Sequence, residues 1–342
     1  MGMKKYKHII RLWNRDNFDK SKYDSSHHGF GWTYNNPLKP GDIPYGITHL
    51  EFRESFNRIL KPGDIPNSVT YLAFGSDFDR HLKPGDIPDS VTHLVYYPRP
   101  EIWSVFIPKT VKYINYRARH NQPLILPIPI PNFITRLSLT GFNQPLNRGD
   151  IPDSVTHLEL GHRFNQPLKI GAIPKSVTHL DLGTSFNQPL EPGIIPSSIT
   201  HLIFGWNFLE RIRFGDIPNS VTHLEIFTMF EPLVEKGVIP NSVTHLYFYN
   251  NPLDLAVIPD SIVYIKTHSR IDQDILDTIF IDYIGMNRTY KTYNKWTFTS
   301  CKYFQDNTLQ RDVFVSKINS SILNELPNEL LFFLMEYPIK NC

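Results

Sequence analysis

The chain has 342 residues, 41% of them hydrophobic, and a formal net charge of +2. That composition supports a substantial core, and the near balance of charge, without a long run of one sign, argues against a nucleic-acid or membrane-surface partner. Cys301 and Cys342 have neither metal-ligand spacing nor a disulfide framework, as is typical of a reducing compartment. No segment resembles a secretory signal or a membrane span, and we therefore expect a cytoplasmic protein.

An internal repeat of about 22 residues runs through most of the chain. An Ile-Pro pair recurs from Ile43 to Pro259, usually followed by Ser-Val-Thr-His-Leu, and the most regular copies cover residues 151–172 and 173–194. A fixed period of this length predicts a solenoid, in which each coil buries its apolar face against its neighbours. We predict an N-terminal cap over residues 1–33, a solenoid of about eleven coils over 34–268, and a C-terminal cap over 269–342.

Within one coil, Val155, Leu158 and Leu160 follow the Leu-x-x-Leu-x-Leu spacing of leucine-rich repeats, which predicts a strand over 157–160. Alternation along the strand places Leu158 and Leu160 on one face, and His157 and Glu159 on the other. Equivalent strands of stacked coils lie side by side. The predicted fold is therefore a repeat solenoid with a parallel β-sheet on one face and mostly irregular return paths.

An asparagine recurs after the strand in several coils, at Asn57, Asn143, Asn165 and Asn187. It predicts a ladder in which each side-chain amide bonds backbone groups that the bending chain leaves unpaired. The ladder is either buried or, as a cap of the turn, partly exposed. In both cases its role is structural.

The pairing of Phe164-Asn165 with Ile173-Pro174, and its equivalents at residues 142–152 and 186–196, resembles the FNIP repeat, a relative of the leucine-rich repeat. The resemblance covers about two-thirds of the chain. Leu209 and Glu231 depart from it by replacing the asparagine, as does the stretch 98–131. Similar proteins occur in amoebae and their large DNA viruses, which implies host cytoplasm if the chain is viral. The resemblance also implies a protein-binding array, and some such proteins carry an F-box that links them to ubiquitin ligases.

A histidine precedes the first strand leucine in most coils and is expected on the outward face of the sheet. Neighbouring strands lie about 4.8 Å apart, so the last five imidazoles are expected to form a continuous file. Three interpretations stay open: a structural ladder beside the preceding threonines, a Zn²⁺ site, and a pH-responsive array that titrates over a broadened range below about 6.5. A straight file does not converge on a metal, so we predict no metal site and no cofactor. The five residues are His157, His179, His201, His223 and His245.

A second outward position, two residues further along each strand, is more variable and is predicted to be exposed. A variable position beside repeated core positions is typical of a recognition surface. It is equally typical of a surface whose residues are under no constraint. Its members are Glu51, Ala73, Val95, Asn115, Ser138, Glu159, Asp181, Ile203, Glu225, Tyr247 and Lys266.

The irregular middle of the solenoid is the predicted partner-binding patch. Tyr113 and Arg136 replace the histidine there, and Tyr, Trp and Arg side chains dominate protein interface energies. The alternative is a degenerate coil without a special role. The predicted contacts are Tyr97, Trp103, Tyr113, Asn115, Arg117, Arg119 and Arg136.

The C-terminal flank is predicted to be partly helical, over 271–284 and 321–337. The segment 326–337, LPNELLFFLMEY, is similar to the opening helix of an F-box, but a helix that caps the last coil is the preferred interpretation, because the ends of a solenoid must be shielded. No phosphate-binding loop, nucleophile elbow or His-Glu-x-x-His motif occurs, so we expect no enzyme. The predicted function is a protein-interaction scaffold. A ubiquitin-ligase substrate receptor and a metal- or pH-responsive histidine array are the alternatives.

Overall fold

The described part of the chain consists of strands joined by irregular turns. The computed structural model describes residues 27–39, 41–98, 106–118, 130–227, 234–248 and 259–262, and the strand segments 264–267, 290–293, 296–305 and 308–317. It divides into two compact units, Met1–Leu94 with Val105–Thr110, and Val95–Ser104 with Val111–Cys342. Across these described segments, no helix is long and apolar enough to cross a membrane.

The first unit contains β1 (His27–Gly29), β2 (His49–Glu51) and β3 (Tyr71–Ala73), which pair in parallel. β4 (His93–Tyr96) begins in this unit, where the N–H groups of Thr92 and His93 both donate to the carbonyl of Thr70. His27 pairs in register with His49, so the stacking of coils begins before the first Ile-Pro pair. β1 lies within the segment predicted as the N-terminal cap, whose boundary stays a prediction.

The second unit contains a parallel sheet in which each strand pairs with the next one along the chain. Its register follows the repeat, since His157 lies opposite His179 and Leu158 opposite Leu180. The parallel strands are β5 (Tyr113–Arg117), β6 (Arg136–Thr140), β7 (His157–Glu159), β8 (His179–Asp181), β9 (His201–Phe204), β10 (His223–Ile226), β11 (His245–Phe248) and β12 (Tyr264–Thr267).

The predicted fold class is confirmed: the chain is a parallel β-solenoid whose turns span about 22 residues. Leu158 and Leu160 are buried as alternation requires, and the return path adds buried Phe164 and Leu168. The equivalent phenylalanines of successive coils stack with near-parallel rings, their centroids 5.7–6.1 Å apart. This row contains Phe142, Phe164, Phe186 and Phe208.

Side chains also link each coil to the next. The hydroxyl of Ser176 donates to the carbonyl oxygen of Val155 at 2.8 Å, and equivalent serines repeat this bond. Asn165 accepts the backbone N–H of Asn187 on its Oδ1 at 2.9 Å, which confirms the asparagine ladder. Asn165 and Asn187 are half-buried, so the partly exposed form of the ladder is the one observed.

The C-terminal flank contains strands that the repeat does not predict. β15 (Thr308–Lys317) pairs antiparallel with β12, β14 (Trp296–Gln305) pairs antiparallel with β15, and β13 (Tyr290–Tyr293) with β14. An antiparallel group thus continues the parallel sheet of the second unit beyond its last coil. The predicted helices over 271–284 and 321–337, with the F-box-like segment 326–337, lie outside the described residues.

Candidate binding face

The five histidines that begin β7 to β11 form one stacked row, which we call the histidine file. The row lies on the face of the sheet opposite the core, which we call the outer face. Successive ring centroids lie 4.0, 4.0, 4.1 and 4.3 Å apart, with interplanar angles of 11–15°. The rings are half-buried, whereas the sequence predicted rings pointing into water. The difference arises because each imidazole covers the faces of its neighbours and leaves only ring edges open. The file consists of His157, His179, His201, His223 and His245.

Each histidine of the file contacts the threonine that precedes it. In one coil, Thr178 Oγ1 lies 2.9 Å from His179 Nδ1 and 3.2 Å from the carbonyl oxygen of Thr156. The same carbonyl accepts the backbone N–H groups of Thr178 and His179, at 2.9 and 3.1 Å. The Thr–His contact recurs at 2.9 Å throughout the file. It fixes each ring through Nδ1, so Nε2 lies on the opposite edge of the ring.

Stacked, near-parallel rings direct their nitrogen lone pairs along parallel lines, which does not suit the tetrahedral geometry of Zn²⁺. Among the residues with described side chains, no three His, Cys, Asp or Glu groups lie together as metal ligands require. The geometry of the file therefore gives the zinc interpretation no support.

The pKa values of the file lie below the usual value for histidine. Burial, more than the charges of Arg136 and His201, lowers the pKa of His157 to about 4. Burial is also the largest cause for His179, His201 and His223, whose pKa values are lowered to about 4, and for His245, whose pKa is lowered. The file is therefore uncharged at neutral pH.

We expect the file to titrate well below pH 6.5 in the folded protein. The unfolded imidazoles have a pKa of about 6.5. Between pH 6.5 and about 4, the unfolded chain therefore binds more protons than the folded chain. The file destabilises the fold as pH falls through this window. NMR of the imidazole carbon-bound protons measures each midpoint, with the urea-unfolded chain as the control. Five independent midpoints near 6.5 in the folded protein would contradict this expectation.

The second outward row is not uniformly exposed, and the prediction of exposure is wrong for Ala73, Val95, Asn115 and Ser138, which are buried. Strand alternation assigns these residues to the outer face, but it does not determine what covers that face. Asn115 is 0% exposed, and its Oδ1 accepts the hydroxyl of Thr140 at 3.0 Å. Of the other members, Glu51 and Glu159 are exposed, Asp181, Ile203, Glu225 and Tyr247 are half-buried, and Lys266 has only its backbone described.

Two carboxyl groups of this row, Glu159 and Asp181, lie in register on β7 and β8. The Glu159 side chain is exposed. Desolvation of its carboxyl group, followed by the charge of Asp181, raises its pKa to about 7. A hydrogen bond from Ser138 and the charge of Arg117 act in the opposite direction. Burial raises the pKa of Asp181 to about 6 against a 2.8 Å hydrogen bond that its Oδ1 accepts from Gly183 N–H. Both groups therefore titrate close to neutral pH.

The structure describes only part of the predicted partner-binding patch. Tyr97, Tyr113, Arg117 and Arg136 are half-buried, and the guanidinium of Arg117 donates to the hydroxyl of Tyr97 at 3.4 Å. Tyr113 lies opposite Arg136 in the register of β5 and β6. Asn115 is buried and is not available for direct contact. Trp103 and Arg119 lie outside the described residues.

This fold, with a parallel sheet, irregular return paths and coils of about 22 residues, defines a repeat solenoid of the leucine-rich-repeat type. A family model described as FNIP Repeat matches more than half of the chain, and the chain belongs to this family. The matched residues are 34–77, 56–95, 142–185, 186–227 and 232–270.

A crystal structure described as that of CroV588, a novel circular leucine-rich-repeat protein, is similar to this chain, with 30% sequence identity and a TM-score of 0.52. The similarity covers 72% of this chain and 41% of that protein, so the chain spans less than half the length of its structural neighbour. A comparison with curated proteins found no match.

Proposed function

We propose that this chain is a non-enzymatic scaffold that binds a partner protein through the outer face of its sheet. Repeat solenoids of the leucine-rich-repeat type are typical of protein-interaction scaffolds. The observation that carries the proposal is the outer face itself, where rows of side chains in strict register run across consecutive strands of the second unit. Such a surface suits an extended partner that crosses several coils.

The anchor of this surface is the group Tyr97, Tyr113, Arg117 and Arg136, next to the histidine file. Aromatic and arginine side chains contribute most to interface energies, particularly when they are already partly desolvated. All four are half-buried, and the bond between Arg117 and Tyr97 holds two of them in place before a partner arrives. Preorganisation of this kind lowers the entropic cost of binding.

The proposal is tested by affinity capture with the double variant Arg117→Ala and Arg136→Ala. We expect it to lose the partner that the wild-type chain retains, because two interface arginines are removed. The matched control is Arg148→Ala with Arg163→Ala, which removes the same charge from exposed positions on the return paths. Retention of every captured partner by the first variant would refute the proposal.

A further inference from the structure

The open edge of the histidine file is a row of hydrogen-bond acceptors, because of the direction in which the Thr–His bonds run. The hydroxyl of Thr178 donates its single proton to the carbonyl oxygen of Thr156 at 3.2 Å. The hydroxyl oxygen then accepts the proton of His179 Nδ1 at 2.9 Å. A neutral imidazole that donates through Nδ1 has no proton on Nε2, which is therefore an acceptor.

Two coils that lack the histidine support this direction. Thr70 is followed by a tyrosine, and Thr135 by an arginine. Their hydroxyls nevertheless donate to the carbonyl oxygens of Thr48 and Lys112, each at 3.3 Å. The threonine therefore bonds the preceding coil whether or not an imidazole follows it, and its proton is already in use when an imidazole does.

The same bonds recur along the file, so its acceptors form a regular series. The centroids of the rings that carry them lie 4.0–4.1 Å apart over β7 to β10. In the described part of the chain, no hydrogen-bond partner meets the Nε2 atoms of His157, His179, His201 and His223. The file thus presents uncharged acceptors across these four strands.

A second row of acceptors runs beside the file, two residues further along the strands. A strand advances about 3.3 Å per residue, so the two rows lie about 6.6 Å apart. The row carries carboxyl groups at Glu159, Asp181 and Glu225, on β7, β8 and β10. Asp181 accepts the N–H of Gly183 on Oδ1, and its Oδ2 has no hydrogen-bond partner among the described residues. Ile203 on β9 is half-buried and offers an apolar contact to the aliphatic stem of a long basic side chain.

We infer that the outer face over β7 to β10 binds a basic, extended segment of the partner protein, with Arg or Lys side chains against both rows of acceptors. The inference rests on the proposed function and specifies the chemistry of its partner. Arg and Lys side chains donate hydrogen bonds and accept none, so they complement two rows that present only acceptors. Guanidinium groups also form strong, charge-assisted hydrogen bonds to carboxylates. Arg117 and Arg136, on β5 and β6, repel a basic segment and so confine it to the strands that follow.

The charged and titratable side chains around this surface determine how the binding depends on pH. Besides the file, they are Arg117, Arg136, Glu159, Asp181, Glu225 and Tyr247. The imidazoles are uncharged from pH 8 to pH 6 because their pKa values are lowered, and burial keeps Tyr247 uncharged by raising its pKa. The pKa values of Asp181 and Glu159 are raised to about 6 and about 7, so both gain negative charge as pH rises from 6 to 8. We therefore expect a basic segment to bind more tightly at pH 8 than at pH 6.

The test uses the full chain and a fluorescein-labelled peptide of alternating Arg and Ser, with the corresponding Glu and Ser peptide as the charge-reversed probe. Fluorescence anisotropy should show that the basic peptide binds and the acidic one does not. The formal net charge of the chain is +2, so non-specific attraction would favour the acidic peptide instead.

Asp181→Asn should weaken binding of the basic peptide about tenfold at pH 8, the loss of one hydrogen bond to a charged group. Asparagine retains the oxygen that accepts the N–H of Gly183, so the local backbone contact is kept. Asp153→Asn, at an exposed position in the turn before β7, is the matched control. His201→Phe keeps a stacked ring, removes the acceptor and should weaken binding about fivefold, the loss of one hydrogen bond to an uncharged group.

Three results would overturn the inference: no preference for the basic peptide, tighter binding of that peptide at pH 6, or equal weakening by Asp153→Asn and Asp181→Asn. Long-range proton–nitrogen NMR gives an independent check, because protons at Nε2 instead of Nδ1 would contradict the acceptor row. Failure of the inference is distinguishable from failure of the proposed function. A captured partner that Arg117→Ala with Arg136→Ala releases, but that does not compete with the basic peptide, would refute only the inference.

Discussion

Replacing Gly183 with alanine is expected to destabilise the solenoid by about 2–5 kcal/mol, because two separate costs combine at this position. Gly183 has φ +85°, a conformation that costs an L-residue about 1–2 kcal/mol. A Cβ atom there would also lie 1.8 Å from the carbonyl oxygen of Gly161 in the preceding coil. That oxygen belongs to the backbone, so relief requires the two coils to move apart, and overpacking typically costs a further 1–3 kcal/mol or so.

Gly193→Ala is the matched control, because Gly193 has φ +89° but a methyl group added there would meet no atom within 4 Å. It should show the conformational cost alone, about 1–2 kcal/mol. Urea denaturation followed by circular dichroism gives the unfolding free energy of both variants, provided that the dependence of this free energy on urea concentration is unchanged. Equal losses of unfolding free energy in the two variants would mean that the coils do not approach each other closely at Gly183.

The sequence repeat predicted the fold because the same residues return to the same position in every coil. The register of His157 with His179 and of Leu158 with Leu180 follows directly from their spacing in the chain. The stacked histidines were also predictable in outline, because strand spacing alone brings equivalent rings together. Their half-buried state was not, since it depends on how closely the rings stack.

Other features depend on contacts that no local pattern encodes. Asn115 and Ser138 were assigned to the correct face, but their burial depends on the surroundings of that face. β13, β14 and β15 lack the repeat, and β15 finds its partner β12 across a long stretch of sequence. The threonine that orients each histidine did leave a signal, because a Thr-His pair occurs in most coils. Only the distances identified its hydroxyl as a partner of the imidazole.

Leu180→Ala is expected to cost about 2–5 kcal/mol, the range for truncation of a buried leucine. Leu180 is 1% exposed and lies in register between Leu158 on β7 and Leu202 on β9. Each coil of a solenoid contacts only its two neighbours, so the cavity would weaken both interfaces of this coil. The solvent cannot compensate for the lost contacts, because an apolar cavity of this size stays dry.

The control is Ile170→Ala, which removes an aliphatic side chain that is 73% exposed on the return path and should change the unfolding free energy by no more than about 0.5 kcal/mol. Urea denaturation of both variants gives the comparison. A weaker dependence of the unfolding free energy on urea concentration for Leu180→Ala would mean that the coils on either side no longer unfold as one unit. A loss below about 1 kcal/mol at unchanged slope would place Leu180 outside the core, and would overturn with it the assignment of the leucine face as the interior of the coil.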